Sequence, residues 1–180
     1  SILNQSSFEL QENKDLLREM KNVVNRYGEN ITSLSQRYEY RQKLLEVDFP
    51  ELIDSGSKHL KSIISHEKKL RKTNKTIIAQ EMLLLWLESS FHAQSYIKER
   101  KYSLKNIVKN KITKLKLLNT SLEDTSSTQY EKNKHNQFVK TISTFQGIFE
   151  QSIQANRIYL SLINVVMAGE AFEFSTLSKN

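Results

Sequence analysis

The feature that most constrains this chain is the stretch from Ser57 to Leu118, which contains no glycine and no proline. Nothing in it stops a helix, and a helix of that length measures on the order of 90 Å. The whole sequence has 4 glycines and 1 proline, too few turn-forming residues for an all-β sandwich. We therefore expect an all-α protein built from long helices.

Hydrophobic periodicity before this stretch also predicts a helix. Apolar residues recur at alternating spacings of three and four, which is a heptad seam typical of helices packed lengthwise against other helices. The seam comprises Leu17, Met20, Val24, Tyr27, Ile31, Leu34 and Tyr38. Inside the long stretch, Ile77, Leu84 and Phe91 belong to a second seam, and Phe138, Ile142, Phe145 and Phe149 begin a third.

Local breakers set the expected ends of the helices. Pro50 should end the first helix near Val47 or kink it, and Gly56, with positive φ, should form a break before the second helix. The polar segment 119–128 is predicted to be the next loop. The chain is thus expected to be one domain, 1–180, with helices over about 8–53, 57–118 and 129–176.

The middle of the second predicted helix is apolar around its whole circumference. A rod of three antiparallel helices covers only one stripe of each helix, so a second molecule should cover the rest. The segment Ile158–Met167 is nearly as apolar. We therefore expect an antiparallel dimer whose interface contains Met82, Leu83, Leu85, Trp86, Leu87, Leu160, Ile163 and Met167.

Positive charge is concentrated in two blocks. The formal net charge is +7, whereas the local charge is +7 over 98–119, +6 over 58–75 and −6 over the remainder. Such blocks attract a polyanion, either a nucleic-acid backbone or an anionic bilayer, unless they are only solvated lysine faces. The predicted membrane-binding residues are Lys98, Arg100, Lys101, Lys105, Lys109, Lys111, Lys114, Lys116, Lys68, Lys69, Lys72 and Lys75.

The residues needed for several kinds of chemistry are missing from the sequence. It has no cysteine for a disulfide or a thiolate metal site, and it has neither a glycine-rich phosphate loop nor a zinc-protease motif. We expect the four histidines to be surface or seam residues, and we expect no catalysis, metal or cofactor. The longest apolar run, Met82–Leu87, is far below the roughly 18 residues of a membrane span, so we expect a soluble chain.

Several short motifs follow one another in an order that resembles the BAR domain of sorting nexins. The resemblance extends from Phe8 to about Phe174. The motifs are Phe8-Glu9-Leu10, Arg41-Gln42-Lys43-Leu44-Leu45, Phe49…Gly56, Leu83-Leu84-Leu85-Trp86-Leu87, Ile97-Lys98-Glu99-Arg100-Lys101-Tyr102-Ser103-Leu104 and Phe138…Phe149…Ile158-Tyr159-Leu160.

The resemblance implies an elongated antiparallel three-helix coiled-coil rod that dimerises into a six-helix crescent. It also implies a module that binds membranes and senses or remodels their curvature in endosomal trafficking, located in the cytoplasm and peripherally on endosomes. The implied partners are an anionic membrane containing phosphatidylserine or a phosphoinositide, and either an identical chain or another sorting nexin. Nucleic acid is not an expected partner.

Three other functions are compatible with the sequence. A helical tether or adaptor would bind protein partners rather than lipid, with its lysines only solvated. Nucleic-acid binding would use the same basic blocks, but lysine outnumbers arginine there and no groove-reading motif is present. A bacterial helical lipoprotein would have a similar composition and would need an anchoring cysteine upstream of residue 1.

Overall fold

A computed structural model describes residues 2–126 and 128–179, with side chains from Gln11 onward. This part of the chain is all-helical, with 93% helix and no strand, so the predicted all-α, coiled-coil-like character is confirmed. The side chains of the Phe8-Glu9-Leu10 motif lie outside the described residues. The helices are α1 (Ile2–Lys43), α2 (Phe49–Lys69), α3 (Thr73–Glu99), α4 (Ser103–Asp124), α5 (Gln129–Ser161) and α6 (Ala168–Leu177), with π-helical turns at Leu44–Asp48 and Leu162–Met167.

The chain divides into two compact units. Unit 1 comprises Ser1–Tyr40 and Ala155–Asn180, and unit 2 comprises Arg41–Gln154. Unit 2 therefore contains α2, α3, α4 and most of α5. Unit 1 contains most of α1, the end of α5 and α6. The single predicted domain, 1–180, thus has two parts, which differ in how much apolar surface they bury.

Unit 2 is a four-helix bundle with an aromatic core. Trp86 of α3 is completely buried, and its ring centroid lies 4.9 Å from that of Phe145 and 5.8 Å from that of Phe138, both on α5. Phe49 of α2 meets Phe145 edge-on at 5.2 Å. Such edge-to-face and tilted contacts are favourable for aromatic rings, and they join α2, α3 and α5 around one centre.

Gly56 does not break a helix, contrary to the prediction. It lies inside α2, is buried and has no positive φ. A Cβ atom added there would collide with the indole ring of Trp86. The indole Nε1–H donates a hydrogen bond to the carbonyl oxygen of Ile53, at 3.1 Å, on the same helix. Glycine at position 56 thus lets α2 approach Trp86 closely, and that is its physical role.

The prediction of one continuous helix over 57–118 is wrong, because the chain turns at residues 70–72 and again at 100–102. Neither turn contains glycine. Arg71 and Arg100 instead adopt left-handed backbone geometry, each with φ of 55°. At the second turn, Arg41 donates hydrogen bonds to the terminal carbonyls of Ile97 and Lys98 on α3, at 3.1 and 2.9 Å. Side-chain capping therefore ends α3 where no breaker residue marks the sequence.

The first and third predicted boundaries also differ from the structure. Phe49 is helical, with φ of −69°, because the π-helical turn before α2 lets the chain pass Pro50 without becoming extended. The predicted loop at 119–128 begins only after Asp124. The reason is that Asn119 and Leu122 are buried on α4, and His135 Nδ1 lies 3.0 Å from Asn119 Oδ1. Helix three corresponds to α5, the second π-helical turn and α6.

Candidate functional site

The residues predicted to form a dimer interface separate into two groups. Met82, Leu85 and Trp86 are at most 8% exposed inside unit 2, so the prediction that a second molecule covers them is wrong. The turn at 70–72 makes α2 a separate helix beside α3, and four helices cover more of α3 than a three-helix rod would. The remaining interface residues are exposed (Leu87, Ile163) or half-buried (Leu83, Leu160, Met167).

Most of the predicted membrane-binding lysines form contacts within unit 2. On α4, Lys111 pairs with Glu88 and Lys114 with Glu81, while Lys116 donates to the side chain of Gln146. Lys101 pairs with Glu99. Lys72 donates to Glu131 at 2.8 Å, and Lys75 donates to the Thr125 carbonyl at 2.6 Å. The four ion pairs with glutamates reduce the positive charge that the two basic blocks present to a partner, whereas Lys116 and Lys75 keep theirs.

The lysines without such contacts in the described part of the chain are scattered. Lys68 and Lys69 are exposed at the end of α2, Lys98 lies at the end of α3, and Lys105 and Lys109 lie on α4. The predicted common stripe from Lys98 to Lys116 required a single helix. Because Arg100 ends α3 in left-handed geometry, Lys98 is on a different helix from the others. The predicted stripe is therefore divided between α3 and α4.

Unit 1 instead contains a long apolar segment that the chain barely covers. The helical run Gln129–Leu177 contains an 18-residue window with mean hydropathy 1.2 and at most two charged residues, and only 6% of that window is buried. The window is residues 158–175. By length and composition alone it could cross a membrane, which differs from the expectation based on uninterrupted apolar runs. Val165 is 68% exposed and Phe172 is 75% exposed.

The two charged residues of this segment point toward α1. Arg26 Nη2 donates to Glu173 Oε2 at 2.7 Å, and Arg26 Nε lies 3.6 Å from Glu170 Oε1. Asn30 Nδ2 donates to both carboxylate oxygens of Glu170, at 3.0 and 2.9 Å. Glu170 is consequently only 8% exposed, while Phe172, two residues later, faces outward. Unit 1 therefore has a polar inner seam and an apolar outer face.

A groove lies beside this polar seam, between α1 and α6. Its volume is about 250 Å³, and its lining is apolar apart from Glu170. The lining residues are Val23, Val24, Tyr27, Glu170, Ala171 and Phe174. Val23 is the buried end of the groove at 2% exposure, whereas Val24 is 54% exposed. The groove is thus a second apolar feature of unit 1, on the side of α6 that faces α1.

A second uncovered apolar face lies on α3 in unit 2. Ile77, Leu84 and Phe91 follow one another at intervals of seven residues and are 57%, 57% and 66% exposed. They belong to the seam that the sequence predicts for packing, yet α3 packs through the opposite face, which contains Met82, Trp86 and Ala93. The sequence pattern identified this seam but not which of the two apolar faces the fold would bury.

Sequence reasoning did not identify the cluster formed by Arg26, Asn30 and Glu170. They lie far apart in the chain, and the seam of α1 explains only its apolar positions. A hydropathy window that tolerates two charges would have identified residues 158–175, but not the side chains that pair with those charges.

Comparison of the chain with protein-family models, with curated proteins and with solved structures finds no match.

Proposed function

We propose that the chain is a helical membrane-binding module whose main contact with lipid is the apolar segment 158–175 of unit 1. The observation that carries the proposal is that this 18-residue window is 6% buried although its mean hydropathy reaches 1.2. A helix that is apolar on most sides and uncovered needs an apolar environment from outside the chain. A bilayer supplies that environment along the whole segment.

The polar seam favours a segment that lies in the membrane surface rather than one that crosses it. Arg26 and Asn30 hold Glu170 on the side of the segment opposite Phe172. Crossing would separate these partners or draw the charged helix α1 into hydrocarbon, and unpaired charges there are costly. Interfacial helices instead bury one apolar face about 5–10 Å deep and keep the polar face in water.

The exposed side chains are positioned for such shallow insertion. Phe172 is 75% exposed, Val165 68% and Ile158 42%, so each can reach the lipid without leaving the helix. Burying one such side chain fully contributes about 1.5–3 kcal/mol. The whole exposed segment therefore supplies the main attraction, and the scattered free lysines add a smaller, salt-sensitive attraction to anionic lipid.

Vesicle flotation tests the proposal. The full chain should float with phosphatidylcholine–phosphatidylserine vesicles and should still float at high salt, because apolar burial is not screened. The double variant V165D/F172D should bind more than about tenfold more weakly. The matched control I77D/L84D places the same charges on the exposed face of α3 and should bind like the parent chain.

Three results would contradict the proposal. One is failure of the parent chain to float at any salt concentration. Another is equal loss of binding in the α3 control. The third is loss of binding in K105E/K109E together with unchanged binding in V165D/F172D, which would assign lipid contact to the lysines of α4.

A second candidate function is docking of a helical protein partner, as expected of a tether or adaptor. It is favoured by the seven-residue spacing of Ile77, Leu84 and Phe91, which suits packing against another helix. A second copy of this chain is one possible partner, in parallel or antiparallel register. Sedimentation velocity would detect a dimer in the parent chain that I77D/L84D abolishes; a monomer at all concentrations would exclude self-association through α3.

The sorting-nexin-like crescent and its endosomal location stay predictions from the sequence resemblance. The dimer seam that they required included Trp86, which is buried in the core of unit 2. Membrane binding through unit 1 does not depend on that crescent. The expectation that the chain is not an enzyme likewise stays a prediction.

A further inference from the structure

Three potential metal ligands converge at the end of α2 in unit 2. His66 and Glu67 lie in the last turn of that helix, and Glu131 lies in the first turn of α5. One ligand atom from each lies within 4.8 Å of the other two. Both glutamates are only 2% exposed, while His66 is partly buried. Carboxylates are rarely buried to this extent unless a cation accompanies them.

The structure fixes the orientation of Glu131. Its Oε2 accepts a hydrogen bond from the backbone N–H of Thr128, at 3.3 Å, and Thr128 Oγ1 accepts one from the N–H of Glu131, at 3.2 Å. This reciprocal pair is a capping box at the start of α5. The second oxygen, Oε1, is directed at the cluster, where it lies 2.8 Å from Lys72 Nζ and 3.4 Å from His66 Nε2.

Glu67 is the less satisfied of the two carboxylates. Its Oε2 atom is buried and has no hydrogen-bond partner among the described residues. It forms a long ion pair with Lys72 Nζ, at 4.0 Å, while Lys72 is hydrogen-bonded to Glu131. One ammonium group thus serves two buried carboxylates, and the C-terminus of α2 adds further negative potential.

We propose that His66, Glu67 and Glu131 bind a divalent transition-metal ion of the Zn²⁺ type, and that the Lys72 ammonium occupies this position when the metal is absent. One imidazole nitrogen and two carboxylate oxygens form a ligand set that Zn²⁺ accepts, with water completing the coordination. Ligand bonds of about 2.0–2.2 Å place neighbouring donor atoms about 3.3 Å apart. The distance of 3.4 Å between His66 Nε2 and Glu131 Oε1 already matches.

Binding requires two small rearrangements. Glu67 Oε2 must move toward the other donors, and the missing hydrogen bond leaves it free to do so. Lys72 must leave Glu131, which its flexible and 31% exposed side chain permits. The sequence led us to expect no metal, with His66 a surface or seam residue among lysines. That expectation overlooked Glu67 and Glu131, whose combined charge exceeds that of Lys72.

Zinc titration by calorimetry tests the proposal on the full chain, with Co²⁺ absorption as a second readout of the ligand set. The parent chain should bind one Zn²⁺. E67Q should weaken binding by more than about tenfold, which is the loss seen even for groups that only support a ligand. K72M should strengthen binding about tenfold, because a competing ammonium is removed from Glu131.

The control is H59Q, which removes a histidine two turns earlier on α2 whose Nδ1 lies 3.2 Å from Thr141 Oγ1. It should bind Zn²⁺ like the parent chain. Circular dichroism checks that each variant is folded. If E67Q unfolds, H66Q takes its place, because His66 is partly exposed and its substitution disturbs the core less. The proposal is overturned by the absence of one-to-one binding, by unchanged affinity in both E67Q and H66Q, or by weaker binding in K72M. Weaker Zn²⁺ binding in H59Q than in the parent chain would also overturn it.

Discussion

Unit 2 and unit 1 are both helical, but they differ in how far their apolar side chains are buried. In unit 2, Trp86, Phe138, Phe145 and Phe149 are all completely buried. In unit 1, by contrast, Val23 is the one large apolar side chain among the described residues that is buried. The side chains of Leu17, Val165 and Phe172 are at least 66% exposed. Unit 2 therefore has its own core, and unit 1 presents its apolar residues outward.

The comparison teaches that helical periodicity identifies apolar faces but not what covers them. Four helices around Trp86 cover one another in unit 2. In unit 1, the polar side chains of Arg26, Asn30 and Glu170 lie between α1 and α6 beside the apolar groove, so only a small apolar core forms there. An apolar face outside a polar seam is suited to a bilayer surface or to another protein. The core of unit 2 should thus account for stability, and the face of unit 1 for binding.

The largest expected effect comes from truncating the core of unit 2. Trp86→Ala removes an indole that contacts α2 and α5, and we expect a loss of about 3–5 kcal/mol in the free energy of unfolding. Phe91→Ala is the matched control on the same helix, where the side chain is 66% exposed. It should change stability by less than about 0.5 kcal/mol. Urea denaturation followed by circular dichroism measures both, and similar losses would remove the distinction between the faces of α3.

The next largest effect is a pH dependence of the free energy of unfolding, which originates at His135 in unit 2. Burial, followed by the charge of Lys75, lowers the pKa of His135 from 6.5 to about 4. The folded state therefore keeps His135 neutral where the unfolded chain already binds a proton. Stability should be constant above about pH 6.5 and fall toward pH 4 by at most about 3 kcal/mol.

His135→Asn tests the origin of this slope. Urea denaturation at pH 7 and pH 4.5 should show a smaller difference in the variant than in the parent chain, because the titrating group is gone. The same difference in both proteins would assign the acid sensitivity to other groups.

A smaller effect is expected at the glycines. Gly56→Ala places a methyl group against the Trp86 ring and should cost about 1–3 kcal/mol through overpacking. Gly169→Ala, on α6 in unit 1, meets nothing within 4 Å and should be neutral or stabilise by up to about 1 kcal/mol. Thermal unfolding compares the two. Equal effects would show that Gly56 is not needed for close approach.

The smallest effect is expected in the polar seam of unit 1. Arg26 is about half exposed, so Arg26→Ala should cost less than about 1 kcal/mol. Hydrogen exchange should nevertheless become faster in α6, since Glu170 and Glu173 lose their cationic partner. Arg18→Ala is the control, because Arg18 pairs with Asp15 on α1 itself. Unchanged exchange in α6 would mean that the seam does not hold it against α1.

The fold class could be predicted from the sequence, whereas the helix boundaries could not. The scarcity of glycine and proline and the heptad spacing of Leu17, Val24 and Ile31 indicate long helices. The turns at Arg71 and Arg100 carry no such signal, because residues with side chains adopt the left-handed geometry. Because the turn at Arg71 was not predicted, the predicted bundle had one helix too few. The predicted dimer interface around Trp86 followed from that error.

The candidate site was less predictable because it depends on pairing between distant residues. The lysines of α4 looked like a free positive surface, but Glu81 and Glu88 on α3 neutralise Lys114 and Lys111. Conversely, the length of uninterrupted apolar runs gave no sign of segment 158–175, which contains Glu170 and Glu173, and both of these pair with Arg26 in the fold. Charge along a sequence is therefore a poor guide to charge on a folded surface.

The most direct test of lipid contact through unit 1 uses an environment-sensitive fluorophore. The chain has no cysteine, so V165C can be labelled at one site with a nitrobenzoxadiazole dye, and L84C provides the matched position on the exposed face of α3. On addition of phosphatidylserine-containing vesicles, the dye at position 165 should shift to the blue and brighten, whereas the dye at position 84 should not change. An unchanged spectrum at position 165, or equal shifts at both positions, would contradict membrane binding through the apolar face of unit 1.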